Sequence, residues 1–369
     1  MRSPVRVLVV DDSALMRKLI PQLLQGDPSI EVVGTAMDGL LGLKKIAELR
    51  PDVVTLDLEM PRMDGLDMLR EIVKRHTIPV IVVSSHTSKG AYSALNALSH
   101  GAFDFVAKPT HSPKVGLDQI ARELAMKIKV AAISGPPRQT FNPPLHAPPA
   151  PKPQPTENRP TRTIAIGIST GGPNALHYLC SMLPASFSGC LLIVQHMPEG
   201  FTAMFARRLN DCSPIHVSEA LSGDLLRPGR AFVCPGNRHL NIRRTPRGDM
   251  IVLAEQPPVN GHRPSIDVLF RSVAKELGKE SAAVLMTGMG DDGAAAMQAV
   301  QTAGGVTIAQ SPDSCVVDSM PRAAIEAGYA TRVVSLENLP SVLQVLCQDG
   351  SSSQRALAME LHALRGERR

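Results

Sequence analysis

Asp52-Val-Val-Thr-Leu-Asp57-Leu-Glu-Met-Pro-Arg-Met-Asp-Gly65 is the stretch on which the fold turns. An apolar run closes on an acid, Asp57, and breaks at once into a loop carrying Pro61 and Gly65. Three other runs end the same way. Val5 to Val10 is followed by Asp11 and Asp12, Val80 to Val83 by Ser84, and Phe103 to Ala107 by Lys108. In a parallel sheet all of these strand ends fall on one edge, and open α/β sheets place their sites there. Three carboxylates at that edge suit a hard divalent cation such as Mg²⁺. A hydroxyl and an ammonium beside them are what a phosphoryl group on Asp57 would need.

Outward from that stretch, five short apolar runs alternate with helical patterns over the first 130 residues. Strands are expected near 5–10, 31–36, 53–57, 79–83 and 103–107, and helices near 13–24, 38–50, 65–75, 88–100 and 114–133. Such alternation implies βαβ units and a parallel sheet. Pro21 falls inside the first helical pattern and should kink or shorten it. Gly135 to Pro160 is a different material. It holds ten prolines and almost no periodicity, which reads as an extended, solvated linker.

The surplus charge of the 369-residue chain sits outside the expected folded parts. The net charge is +5, of which Pro136–Thr163 contributes +3 and Ser351–Arg369 contributes +2. The remainder balances, so net charge makes no case for a nucleic-acid surface. With 3% aromatics and no Trp, the cores must be aliphatic. Six cysteines are scattered with no close pair and no Cys/His cluster, which fits reduced thiols in a cytoplasmic protein rather than disulfides or zinc. No apolar run approaches 18 residues, and no signal peptide or membrane span is expected.

From Thr163 the alternation resumes. Strands are expected at 163–168, 190–195, 231–234, 240–243, 250–254, 282–287 and 306–309, and helices at 172–183, 199–209, 265–277, 292–303 and 321–328. Arg238 to Ala254 reads as a β-hairpin within this second sheet. Gly167-Ile-Ser-Thr-Gly171 follows the first strand of the set. A Gly-x-Ser-x-Gly turn from strand to helix projects a serine hydroxyl, here that of Ser169. The helix N-terminus behind it favours developing negative charge. The Walker pattern is absent and the dinucleotide pattern is weak, because the next strand ends in Gln195-His196 and not in an acid.

A serine nucleophile needs a base. His196 closes the strand beside that of Ser169, at the same edge. His239 and His262 are rivals, and His177 sits on the helix after the turn. Position favours His196. A carboxylate should orient the imidazole, and Asp291 and Asp292 are both candidates in Gly288-Met-Gly-Asp-Asp-Gly293. The chain order Ser, His, Asp differs from that of the α/β-hydrolase fold.

Two resemblances follow from these residues. Asp11, Asp12, the Asp57–Gly65 loop, Ser84 and Lys108-Pro109 make residues 1 to about 125 similar to the receiver domain of bacterial response regulators. That resemblance implies a flavodoxin-like (βα)5 domain phosphorylated on Asp57 by a sensor histidine kinase. It implies Mg²⁺ held by Asp12 and Asp57, with Asp11 and the Glu59 carbonyl in support, and a switch aromatic that is Phe103 or Phe105. The second half resembles the catalytic domain of the chemotaxis protein-glutamate methylesterases. The residues that carry this are Ile166–Pro173, Val194–Pro198, Cys234–Gly236 with His239-Leu240, His262–Asp267, Met286–Gly293 and Met320-Pro321. It implies a Rossmann-like doubly wound domain with the triad Ser169, His196 and Asp292, an oxyanion donor at the Met289 amide, and Thr170 in the same pocket. One departure is Ile168, where alanine is common.

The expected organisation is a receiver domain over 1–130, a Pro-rich linker over 131–162, a catalytic domain over 163–349 and a flexible basic tail over 350–369. The expected function is a phosphorylation-activated serine esterase that acts on glutamate methyl esters of chemoreceptor helices and deamidates receptor glutamines. No cofactor is expected for the ester chemistry, a monomer is expected, and the unphosphorylated receiver is expected to cover the catalytic edge. The alternative is a receiver-regulated adaptor without catalysis. A DNA-binding response regulator is disfavoured, because no helix-turn-helix pattern is present.

Overall fold

The computed structural model describes residues 3–85, 87–108, 115–136, 152 and 159–348. Most of the Pro-rich linker, the basic tail and Pro109 therefore lie outside the described residues. Contacts divide the chain into two units, Met1–Thr140 and Phe141–Arg369.

In the first unit, strands β1 (Val5–Val10), β2 (Ile30–Ala36), β3 (Val53–Leu56), β4 (Val80–Ser84) and β5 (Asp104–Ala107) alternate with helices α1 (Ala14–Leu24), α2 (Gly39–Leu49), α3 (Gly65–Arg75), α4 (Ser88–Ser99) and α5 (Val115–Ser134). All strand pairs are parallel, in the order β2-β1-β3-β4-β5. The order reverses between β1 and β3, which opens a crevice at their C-terminal ends. The strands are Val/Ile/Leu runs because helices cover both faces, as parallel sheets require. Local signals start the helices: Ser13, Asp38, Asp64 and Thr87 each accept an N-terminal amide on their side chains. Helix α1 runs past Pro21 to Leu24, so the expected shortening does not occur. Buried Ile20 and Leu24, on either side of the ring, tie the last turn to the core.

In the second unit, strands β6 (Thr163–Ile168), β7 (Cys190–Gln195), β8 (His216–Glu219), β9 (Arg230–Val233), β10 (His239–Thr245), β11 (Gly248–Ala254), β12 (Ser281–Leu285), β13 (Val306–Gln310) and β14 (Arg332–Val334) combine with helices α6 (Gly172–Met182), α7 (Thr202–Cys212), α8 (Ile266–Leu277), α9 (Ala294–Thr302), α10 (Ser319–Glu326) and α11 (Leu339–Leu346). Seven strands form a parallel sheet in the order β14-β13-β12-β6-β7-β9-β8. This is a doubly wound α/β domain with its switch point between β6 and β12.

Three elements, β8, β14 and α11, were not expected from the sequence. The two strands are short and sit at the sheet's two edges, where local pattern is weakest. The hairpin β10-β11 is real, but it forms a separate two-stranded antiparallel sheet and does not join the parallel one. Its outer edges are already occupied. Along β10, Ser272 and Glu276 of α8 accept the amides of Ile242 at 2.8 Å and Arg244 at 3.0 Å. Along β11, the segment 222–226 exchanges backbone bonds with Asp249 and Ile251. Leu240, Ile242 and Ile251 then share one core with Leu269, Phe270 and Val273 of α8.

Candidate active site and phosphoacceptor site

The crevice of the first unit gathers its acids closely. Carboxylate oxygens of Asp11, Asp12 and Asp57 all lie within 4.8 Å of one another. Lys108 answers two of them, Asp57 Oδ2 at 2.7 Å and Asp11 Oδ2 at 3.0 Å. Burial pushes the Asp57 and Asp11 carboxyls above the usual carboxylate range, and Lys108 only partly draws them back. Gly65 is required by close approach: a Cβ there would stand 2.0 Å from the Asp57 carbonyl oxygen. The Glu59 amide reaches Asp57 Oδ1 at 3.4 Å, while its side chain pairs with Lys89. Ser84 is buried and donates to the Gly90 carbonyl at 2.8 Å. Phe103 and Phe105 are both buried, and the Phe105 carbonyl accepts from Lys127 at 2.6 Å.

The second crevice is built at the ends of β6, β7 and β12. Ser169 follows β6, and its amide donates to Thr287 O at 3.0 Å, beyond β12. Gly171 takes φ 78° to turn the chain into α6, a left-handed conformation that favours glycine. A Cβ on Gly288 would lie 2.7 Å from Ser169 Cβ, so the loop after β12 rests directly on the serine turn. His196 follows β7, and its Nε2 bonds Asp292 Oδ2 at 2.9 Å. That leaves Nδ1 as the free ring nitrogen, and it is buried without a hydrogen-bond partner. The amides of Thr170 and Met289 make no hydrogen bond among the described residues.

Asp292 is 1% exposed and saturated with donors. Besides His196, it accepts from the Ile266 amide at 2.7 Å, Ser265 Oγ at 2.8 Å and the Asp267 amide at 3.3 Å. Burial alone would raise its pKa. The hydrogen bond and charge of His196 and the donors at the start of α8 overcome this and hold it at about 2. Asp267 reciprocates, accepting the amides of Gly293 and Ala296 at the start of α9 at 3.1 and 3.2 Å. Each helix is thus capped by an acid from the segment that opens the other. Asp291, by contrast, is exposed.

The other histidines have separate places. His239 is fully buried, with Nε2 on the Pro257 carbonyl and Nδ1 on the Ser265 amide. Burial and Arg208 of α7 depress the pKa of His177 on α6. His262 stacks on His196 itself. Sequence reasoning missed the roles of Asn260, Ser265, Asp267 and Gln195. The Gln195 amide donates to the carbonyls of Ser169 and His196 at 3.0 and 3.1 Å. Ser265-Ile-Asp267 before a helical run was the signal for the capping pair, although nothing local named its partner.

One unit thus carries an acid crevice, and the other brings a serine turn, a histidine and an aspartate to one sheet edge. Residues 7–117 match the response regulator receiver domain family and residues 164–343 the CheB methylesterase family. The protein-glutamate methylesterase/protein-glutamine glutaminase 2 of Koribacter versatilis is 59% identical over 349 residues, covering 93% of this chain and 96% of that protein. The Symbiobacterium thermophilum protein-glutamate methylesterase/protein-glutamine glutaminase is 45% identical, over 92% of this chain and 96% of its own. The crystal structure of the Thermotoga maritima CheB methylesterase catalytic domain, 36% identical, covers 50% of this chain and 98% of that one with a TM-score of 0.49. The chain belongs to the protein-glutamate methylesterase/protein-glutamine glutaminase family. Among the described residues, no helix is long and apolar enough to cross a membrane.

Proposed function

We propose that this enzyme hydrolyses glutamate γ-methyl esters, and deamidates glutamines, with Ser169 as nucleophile, His196 as base and Asp292 as the acid that orients it. The observation that supports this most is the ring geometry of His196. Nε2–H is committed to Asp292, so Nδ1 carries the lone pair and lies buried one strand from the serine turn. Ser169 Oγ attacks the ester carbonyl carbon while Nδ1 takes its proton. The oxyanion is met by the uncommitted amide of Met289, with Thr170 in the same pocket. As the tetrahedral intermediate collapses, the C–O bond to methoxide breaks and His196 returns the proton, releasing methanol. Water then attacks the acyl-serine with His196 again as base, freeing glutamate and Ser169. From a glutamine side chain, ammonia leaves instead. The Ser169–His196 hydrogen bond is not formed here, and such bonds often tighten only with substrate.

Regulation rests on Asp57, whose carboxylate accepts a phosphoryl group from a histidine kinase. Three carboxylates with one ammonium among them suit a hard cation, and Mg²⁺ would be held by Asp11, Asp12 and Asp57 with the Glu59 carbonyl. When bound, Mg²⁺ offsets the charge of the incoming phosphoryl oxygens. Lys108 holds Asp57 and can follow its charge. Ser84 must exchange its bond to Gly90 O for one to a phosphoryl oxygen, which would pull on the first turn of α4. The substrate proteins are chemoreceptors acting in the cytoplasm. The deciding experiment measures methanol release from methylated receptor with and without acetyl phosphate. No release in either condition would favour the adaptor reading.

A further inference from the structure

The imidazole of His262 lies flat against that of His196, with ring centroids 3.8 Å apart and an interplanar angle of 4°. No step of the reaction above uses it. His196 is held at one ring atom, through the Nε2 bond to Asp292, while Nδ1 has no partner. A ring held by a single hydrogen bond can still tilt about it, and a tilt moves Nδ1. A parallel ring against one face blocks tilting toward that side.

The loop that carries His262 is braced for the purpose. Val259 and His262 exchange backbone hydrogen bonds at 3.0 and 2.9 Å. Asn260 donates to Asp267 Oδ2 at 2.9 Å and reaches Asp292 Oδ1 at 3.5 Å. Arg263 donates to the Glu255 and Gln256 carbonyls at 3.2 and 3.1 Å and through Nε to Asn237 Oδ1 at 2.9 Å. The loop is therefore tied to the catalytic acid, to the acid that caps α9, and to the turn before β10.

We propose that His262 is a positioning residue for the esterase reaction, whose ring face holds the His196 imidazole in the plane that keeps Nε2 on Asp292 and Nδ1 toward Ser169. The flat face does this work, and the ring nitrogens of His262 transfer no proton. The inference rests on the assignment of His196 as base.

The test uses the full-length chain with acetyl phosphate, and methanol release from methylated receptor is followed as kcat and KM. His262→Ala should lower kcat roughly 10- to 100-fold, the scale of a small misplacement of a catalytic group, and leave KM unchanged. His262→Phe keeps a flat ring and should recover most of kcat. Thermal melts of both variants separate this from unfolding. Should His262→Ala fail to fold, His262→Phe decides alone, and near-wild-type kcat supports the proposal. The proposal is overturned by wild-type kcat in a folded His262→Ala, by a loss confined to KM, or by a folded His262→Phe as impaired as His262→Ala. His196→Gln is run alongside. If that variant kept its activity, the base assignment itself would fall, a result distinct from any of these.

Discussion

The two crevices lie at the same kind of place, the C-terminal edge of a parallel sheet at a switch in strand order, yet they treat their carboxylates in opposite ways. Asp292 is surrounded by donors and held at about 2. Asp57 and Asp11 share one lysine and are pushed upward by burial. The first arrangement is complete: its carboxylate is already met by the donors at the start of α8 and by the hydrogen bond of His196. The second is short of positive charge and gains from a cation. A preorganised acid suits catalysis, in which nothing should reorganise during the reaction. An under-compensated cluster suits a switch, whose state must change when a charged group arrives.

The sharpest break in this comparison is removal of the proposed catalytic groups. Ser169→Ala should lower methanol release by roughly 10⁴- to 10⁶-fold without unfolding the chain, and His196→Gln should do nearly the same. Asp292→Asn should cost somewhat less, and exposed Asp291→Asn little. Substantial turnover by Ser169→Ala would remove the nucleophile assignment, and a larger loss from Asp291→Asn would transfer the role of the acid.

Changes on the switch side should be smaller. Acetyl phosphate with Mg²⁺ should place one phosphoryl group on Asp57 and raise esterase activity by roughly 5- to 150-fold, the usual scale of allosteric coupling. Asp57→Asn should not respond. A wild-type response in that variant would detach the switch from the esterase. Within the same range, deleting residues 1 to about 160 should yield a folded domain with more basal activity than the unphosphorylated whole. A folded but less active fragment would show that the receiver completes the site.

The smallest effects concern stability, and they should have opposite signs. A carboxyl whose folded pKa is depressed stabilises the fold above its ordinary pKa of 3.8, and that stability is lost as pH falls through the folded value. For Asp292 this amounts to about 2 kcal/mol, lost between about pH 4 and pH 2. Asp292→Asn should therefore flatten the acid limb of the melting curve. Asp57 is raised, so its ionised form carries a penalty at neutral pH that is relieved on acidification. Asp57→Asn should raise the Tm of the receiver transition at pH 7. A lower Tm would mean that Lys108 already compensates the cluster fully.

Much of this was legible in the chain itself. The apolar runs at Val5–Val10, Val53–Leu56, Thr163–Ile168 and Cys190–Gln195 appear as strands almost residue for residue. The acids and the histidine that close them could be placed on one edge before any coordinates. Such features are local: strand length, turn chemistry and the parallel rule are written in neighbouring residues. What only the tertiary structure decided depends on residues far apart in sequence. The hairpin stays out of the parallel sheet because Ser272 and Glu276 of α8 occupy its edge, and no local pattern announces that. The start of α8 at Ser265–Asp267 and the acid Asp292 lie 25 to 27 positions apart and meet only when α8 packs against the start of α9. The pinning of His196 by His262 requires a loop 66 positions onward to fold back over it. Sequence placed the proposed reactive groups at the strand ends, and packing across the sheet decided what holds each of them in place, because hydrogen-bond partners and ring contacts are set by distance in space and not along the chain.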